Sequence, residues 1–546
     1  MNKIFEQLIK NRNLDDNFLH PRYEHRIDPF SLTDMDKGIA RIKQAIDNQE
    51  KILIYGDYDV DGVTSSTVME QTLILAGVKP DNIEIMLPDR LIDGYGMSPK
   101  LIQRAKAHQV SLVITVDCGS HNHEIINELN ELGIDTIVTD HHETTTILPE
   151  AKAIINPHRK DHPTEALQNL AGVGVAFKLT EALVGKGLID SGQEKWLLDL
   201  VLLGTICDSM LLTDDNRRLC YYGMKVLAKT RRPGLIALMQ KAGVKSLNSE
   251  SIGFQIGPRL NAAGRLESAT ISLELLRTNS PTKAASIAEK LEQLNKRRKA
   301  EQNSATKEIK ERGVGDNPVI IETGKWHEGI IGIVAGRLVE EYQRPAFILT
   351  ETSNDIFKGS GRSFGDFNLS DALGYAKNSI IGGGGHAGAA GVKVERKNLY
   401  SFREQINEYY LSLHLPDQSK YFNQHAELNL TDFSELNTNL LDELKQLEPY
   451  GPGNEEPIFC LKDVQITNVT PMGADRNHLR LDLRDKNGQY LKAVAFFAPT
   501  KWLQLDPQFD QVEPLIKLTE NDWGGVRSVE ARLVDLRFRS SEYESF

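Results

Sequence analysis

Cysteine is scarce and scattered, with Cys118, Cys207, Cys220 and Cys460 alone among 546 residues and no C-x-x-C pair between them. That spacing excludes a disulfide framework and a thiolate zinc site, and it fits reduced thiols in a cytosolic protein. Long apolar runs are missing as well. No stretch reaches the length a bilayer requires, and the opening MNKIFEQLIKNRN has no signal-peptide core, which predicts a cytoplasmic chain without membrane attachment. A positive excess is also absent, since 64 Lys and Arg face 76 Asp and Glu for a formal net charge of −12. A surface that coats nucleic acid indiscriminately is therefore excluded, and any polyanionic ligand must be held by local basic patches and bound metal. What the chain does have is length, too much for one core at 40% hydrophobic residues, and it predicts roughly two to four domains.

Between Lys51 and Pro157, β-rich runs alternate with helical ones: KILIYG, a helix from Thr64, IEIML, a helix after Ser98, LVITVD, a further helix, DTIVTD and AIIN. This alternation predicts a parallel sheet covered on both faces, with ligands outside the carboxyl ends of its strands. Residues 166–240 read as mostly helical. A long polar helical pattern with no Pro or Gly in its interior runs from Thr282 to Arg312 and bridges two domains. A second α/β region follows from Pro318 to Leu415. Strand-like segments from Tyr421 onward (HLRLDLRD, YLKAVAFFA, SVEARLVDLRF) predict a small OB-like barrel.

The richest segment is IYGDYDVDGVTS, where a buried strand ends and Asp57, Asp59 and Asp61 follow at alternate positions. Carboxylates this close repel one another unless cations bind between them, so a metal site is the economical explanation. A solvated acidic turn and an EF-hand loop share the D-x-D-x-D pattern. Gly62 directly after the third Asp, and Val68 at the twelfth position, argue against the EF-hand. Two more predicted strands end in similar chemistry, LVITVD at Asp117 and DTIVTD at Asp140, with His141 and His142 behind it. Hard oxygen donors and imidazoles gathered at three strand ends suit hydrolysis with two metals. Strand alternation predicts that only one of His141 and His142 is a direct ligand, the other facing the phosphate. Asp208, after LLDLVLLGTIC, is a further candidate ligand; helix capping explains it equally well.

Together these segments resemble the RecJ-type exonucleases of the DHH phosphoesterase superfamily over nearly the whole chain. The motifs are YGDYDVDGVTS (55–65), LPDRLIDGYG (87–96), VDCGS (116–120), DHH (140–142), GPRLNAAGRL (257–266), WHEGIIGIVAGRL (326–338), GSGRS (359–363), GGHAGAAG (384–391) and PYGPGNEEPIF (449–459). The resemblance implies an α/β DHH catalytic domain over 51–281 with residues 1–50 packed on it. It further implies a linking helix over 282–313, a second α/β, DHH-associated domain over 314–420 and an OB-like barrel over 421–546. It implies 5′-to-3′ degradation of single-stranded DNA to mononucleotides with Mn²⁺ or Mg²⁺, in recombination and repair. Carried over by motif, Asp57, Asp59, Asp61, Asp117, His141 and Asp208 form the metal-binding set, with His142 beside the scissile phosphate. Around Asp208 this chain has Cys207 and Ser209 where the family usually has Ala and Val.

Five aspartates bring about −5 against +4 from two divalent cations, so the loaded site is near neutral and can accept a phosphodiester. Arg90, Arg265, Ser360 and Arg362 stand in matched motifs where guanidinium and hydroxyl groups can clamp a terminal 5′-phosphate, and Tyr95 can stack on the end base. Gly385 and His386, within the glycine cluster 382–391, allow close backbone approach to the sugar-phosphate chain, although tight turns need glycine too. Lys296 to Lys299 form a basic segment that fits phosphate contact or a solvated helix face. Trp502 and Trp523 suit either strand binding or a core. Expected partners are single-stranded DNA, a helicase and a single-strand-binding protein, with the chain itself a monomer. The competing readings are a DHH enzyme for short oligonucleotides and a DNA-binding scaffold without activity. The C-terminal region weighs against the first, and the full set of acids and histidines against the second.

Overall fold

The structure is a computed structural model that describes residues 1–538, apart from 91, 95, 353–354, 417, 422–423, 474–475, 507–510 and 524–525 and the side chains of 419–420, 500 and 522–523. The chain divides into two units, Arg26–Tyr421 and a second formed by Met1–His25 with Phe422–Phe546.

In the first unit, Ile52–Gly56 (β1), Ile83–Met86 (β2), Leu112–Val116 (β3), Asp135–Thr139 (β4) and Ala153–Ile155 (β5) pair in parallel in the order β2-β1-β3-β4-β5. β1 and β3, reading ILIYG and LVITV, are buried at every position, as strands covered on both faces must be. Strand order reverses between β1 and β3, which opens a crevice outside their carboxyl ends, the usual ligand position in such sheets. The following helix spans Val60–Leu75, four residues earlier than Thr64. Asp59 caps it by accepting the Gly62 N–H at 3.1 Å. Two strongly apolar helices, Gly172–Gly185 and Leu198–Cys207, pack against it almost wholly buried.

The long helix runs Pro281–Arg312, capped by Ser280 and ended by Gly313 at φ +79°. It packs on the helices Pro233–Ala242, Gly257–Leu266 and Glu328–Tyr342. A buried Arg259–Glu292 ion pair of 2.6 Å ties it to the second of these. Beyond it, Ile320–Gly324 (β6), Ala346–Glu351 (β7), Ile356–Arg362 (β8), Gly382–Gly385 (β9) and Ala389–Glu395 (β10) form a mixed sheet in the order β6-β7-β8-β10-β9. Its core gathers Phe347, Phe357, Phe367 and Phe402.

The second unit holds Leu428–Leu430 (β11), Phe459–Leu461 (β12), Gln465–Met472 (β13), His478–Arg484 (β14), Tyr490–Ala495 (β15), Val512–Trp523 (β16) and Val526–Phe538 (β17). The pairing runs β11-β12-β16-β17-β15-β14-β13 without closing, so the expected barrel is here an open mixed sheet among the described residues. Residues 1–50 do not pack together on the catalytic domain. Helix Lys3–Arg12 buries Ile4, Phe5 and Leu8 in the same cluster as Leu440, Leu447, Phe459 and Leu481. Glu443 accepts the Asn2 N–H at 2.9 Å, and Arg12 pairs with Glu427. Amphipathicity predicts that KIFEQLIKNR buries a stripe, but not which core receives it. From Arg26 onward the chain joins the first unit, where helix Met35–Asp47 packs on β5. Among the described residues, no helix is long and apolar enough to cross a membrane.

Candidate active site

The carboxyl ends of β1, β3 and β4 deliver their acids and imidazoles to one place. Asp61 falls in the first turn of its helix and is buried; its carboxylate accepts the Gly172 N–H at 2.6 Å and the Val173 N–H at 2.9 Å. These donors are the free amides at the start of helix Gly172–Gly185, so that helix end favours a negative charge there. Close approach depends on glycine. A Cβ at Gly172 would stand 2.6 Å from the Asp117 Cβ, and one at Gly204 2.7 Å from the Asp61 Oδ1. Asp117 itself leaves β3 with φ +60°, a left-handed conformation that is uncommon outside glycine and recurs at functional sites.

His141 Nε2 lies 3.1 Å from Asp117 Oδ1, 3.6 Å from Asp208 Oδ2 and 3.8 Å from Asp61 Oδ2. Asp57, Asp59 and Asp117 offer a second set of oxygens within 4.8 Å of one another, and Asp117, His141 and His142 a third. With Asp61, His141 and Asp208 as the first set, Asp117 belongs to two of the three sets that fit divalent cations. Both histidines face the cluster, their rings 4.5 Å apart, contrary to strand alternation. β4 ends at Thr139, so the pair stands in a turn where alternation does not apply.

Burial, and then the neighbouring Asp59, push the Asp57 carboxyl up to about 8 and the Asp61 carboxyl up to about 7. Burial followed by Asp61 raises Asp208 to about 8 and lifts Asp117 well above the usual carboxylate range. The buried Asp57 Oδ1 has no hydrogen-bond partner among the described residues, and Asp117 Oδ1 has only the His141 ring nitrogen at 3.1 Å beside it. Crowded carboxylates with unmet acceptors are what a hard cation compensates, and the oxygen-plus-imidazole donor set suits Mn²⁺ or Mg²⁺. Burial and the adjacent His142 push His141 down to about 3, leaving it a neutral donor. His142 goes the other way. Burial opposes its cation, but Asp140 accepts from Nδ1 at 2.8 Å and raises it to about 9.

Arg90, Arg265 and Arg362 supply the opposite charge, and the Ser360 hydroxyl stands beside Arg362. The Arg90 guanidinium lies 5.0 Å from the Tyr58 ring centre. Arg265 Nη1 donates to Gly329 O at 3.4 Å, and Arg362 Nη1 donates to Ser360 Oγ at 3.2 Å and Gly361 O at 2.8 Å. Burial, then Arg90, Arg298 and Arg362, push Arg265 down to about 9, so these guanidinium groups share one neighbourhood. Crowded cations of this kind, held by carbonyl and hydroxyl oxygens, form a receptor for an anion.

Residues 51–205 match the DHH family, N-terminal domain; residues 316–411 match the DHHA1 domain; residues 429–535 match the RecJ OB domain. The single-stranded-DNA-specific exonuclease RecJ of Haemophilus influenzae is 34% identical over 93% of this chain and 91% of its own length. The chain belongs to the RecJ family. The RecJ of Bacillus subtilis is 35% identical over 88% of this chain, which spans 60% of that longer relative. The crystal structure of Thermus thermophilus RecJ with Mn²⁺ superposes with a TM-score of 0.84 at 27% identity, covering 99% of this chain and 76% of that one.

Within this chain, the structure adds contacts that the motifs do not specify. Asp140, fully buried, accepts the N–H groups of His141 at 2.8 Å, His142 at 3.2 Å and Ser120 at 3.0 Å besides the His142 ring. Asn156, at the end of AIIN, donates to Ser120 Oγ and to His142 O, both at 2.9 Å. Asn261, inside GPRLNAAGRL, accepts the Val60 N–H at 3.2 Å and so touches the acidic turn. The strand-end position of Asp140 and Asn156 is a legible signal; the Asn261 contact is not. Gly385 closes β9, and the exposed His386, whose N–H donates to Ala389 O at 2.8 Å, acts electrostatically on Glu143 beside His142. Tyr95 lies outside the described residues. Trp502 is buried in the C-terminal core, and the Trp523 side chain is outside the described set. In the basic segment, Arg298 is buried and donates to Asn295 Oδ1 at 2.8 Å.

Proposed function

We propose that this chain hydrolyses single-stranded DNA from its 5′ end to mononucleotides, using two divalent cations, Mn²⁺ or Mg²⁺, in recombination and repair. The observation that carries the reading is a cluster of crowded carboxylates and two imidazoles with guanidinium groups near enough that Arg90 acts on Asp57 and Asp59 on Arg265. A phosphodiester chain with a terminal phosphate fits both. Asp57, Asp59, Asp61, Asp117, His141 and Asp208 would hold the cations. Divalent cations at such a site supply charge neutralisation and a water acidic enough to attack phosphorus at neutral pH. His142, kept cationic by Asp140, faces the scissile phosphate, stabilises its developing charge and donates a proton to the departing oxygen. Arg90, Arg265, Ser360 and Arg362 clamp the 5′-phosphate and so convert a phosphodiesterase into an end-dependent one.

In the C-terminal unit, exposed Tyr490 shares the outer side of β14 and β15 with Arg480, Asp482, Arg484 and Lys492, and exposed Phe496 and Phe497 follow β15 against the His478 ring, a set of rings and cations suited to stacking and neutralising an incoming strand. The enzyme acts in the cytoplasm as a monomer, supplied with strands by a helicase and a single-strand-binding protein. Nucleotide release from single-stranded DNA, duplex DNA and dinucleotides, with Mn²⁺ and with EDTA, tests the reading. Metal-dependent release from the long single strand is expected; release from dinucleotides alone would overturn it.

A further inference from the structure

We propose that Tyr55 is a positioning residue that ties the turn carrying Arg90 to the strand carrying the metal acids. Tyr55 lies near the carboxyl end of the interior strand β1, fully buried, two residues before Asp57. A tyrosine there is not explained by packing, because phenylalanine would fill the same space without a hydroxyl to satisfy. Its hydroxyl reaches out of the strand into the segment 87–98. It donates to Gly96 O at 3.1 Å and accepts the Ser98 N–H at 3.0 Å.

From Ser98 the connection runs back to Arg90. Ser98 Oγ donates to Asp93 Oδ1 at 3.1 Å, and Lys100 Nζ pairs with the same carboxylate at 2.8 Å. The other oxygen of Asp93 accepts the Asp89 N–H at 2.9 Å, while the Asp93 N–H donates to Asp89 O at 2.7 Å. Asp89 and Asp93 thereby close a turn around Arg90. Its guanidinium lies over Tyr58, which follows Asp57 in the acidic segment. Strand β1 thus sets both sides of the reaction, the metals through its carboxyl end and the end sensor through the Tyr55 hydroxyl. A fixed separation between them is what makes each cut fall one nucleotide from the end. The inference rests on the reading of Arg90 as a 5′-phosphate ligand.

Tyr55→Phe keeps the buried ring and deletes both hydrogen bonds. The full chain is assayed on single strands with a 5′-phosphate or a 5′-hydroxyl, with Mn²⁺ affinity followed by calorimetry. KM for the phosphorylated strand should rise about five-fold, the scale of one or two neutral hydrogen bonds, while kcat and Mn²⁺ affinity stay at wild-type values. In an Arg90→Ala background the same change should add nothing, because the tyrosine acts through that arginine. A fall in kcat and Mn²⁺ affinity, or a full additive effect on Arg90→Ala, would overturn the proposal. If Arg90→Ala alone leaves the preference for phosphorylated ends intact, the end-phosphate reading fails first and the proposal with it. Should Tyr55→Phe not fold, Ser98→Ala removes the next link and is held to the same outcomes.

Discussion

At the scale of single residues, the site is governed by which carboxylates are matched and which are crowded. Asp140 is matched: three backbone N–H groups and the His142 ring hold its charge, and it holds the charge of His142 in return. Asp140→Asn should leave the fold in place and cut kcat about ten- to a hundredfold, the usual effect of losing a group that orients a ligand or catalytic histidine. Proton NMR of the His142 ring should show its pKa falling below the wild-type value; a faster enzyme, or an unchanged one, would contradict this role. Asp57, Asp61 and Asp208 are crowded, with carboxyls raised from 3.8 to about 8, 7 and 8. The unfolded chain loses these protons at lower pH than the folded one. Without metal, the stability these three carboxyls contribute is therefore fully present below about pH 3.8 and is lost as pH rises toward about 8, outweighing the smaller opposite trend from the neutral His141. Thermal melts in EDTA should show that decline, and Mn²⁺ should raise the melting temperature far more at pH 8 than at pH 5, since cations replace the protons. A metal-free protein that gains stability across the same range would exclude the crowded cluster.

At the scale of elements, the long helix is fastened by a buried apolar face that includes Ile287, Leu291 and Ile309, and by the buried Arg259–Glu292 ion pair. Arg259 and Glu292 are both buried, so Arg259→Ala removes the 2.6 Å charge-assisted contact, leaves Glu292 only the exposed Lys296 at 3.7 Å, and should cost about 2 kcal/mol in chemical denaturation. Elements such as β1, β3, β4 and the long helix were legible because their periodicity and caps are local. Strand ends in the sequence place Asp57, Asp117, Asp140 and the histidine pair on one edge. Contacts between distant elements were not legible. The Asp61 carboxylate meets the start of helix Gly172–Gly185 over 111 positions, and nothing in NLAGVGVAF announces that meeting except small residues that packing also uses. The helix boundary moved from Thr64 to Val60 because Asp59 serves as both cap and candidate ligand, and each role alone explains an aspartate there. Trp502, read as either surface or core, was decided by the partner strands that bury it.

At the scale of the whole molecule, chain order and spatial grouping part company at the N-terminus. Helix Lys3–Arg12 belongs to the C-terminal unit, so Leu8→Ala should destabilise that unit by about 3 kcal/mol. Hydrogen exchange should quicken in residues 428–538 and leave 52–155 unchanged; the reverse pattern would place the helix elsewhere. The catalytic unit, by contrast, holds both the acidic cluster and the arginines between Arg26 and Tyr421. The account stands or falls on what that unit does to a DNA end. The decisive measurement follows a single strand labelled at one end or the other, incubated with Mn²⁺ and the wild-type chain or its Asp117→Ala variant. The account predicts immediate loss of the 5′ label as mononucleotide, late loss of the 3′ label, and neither with the variant or in EDTA. Early release of the 3′ label, or undiminished activity of Asp117→Ala, would contradict it.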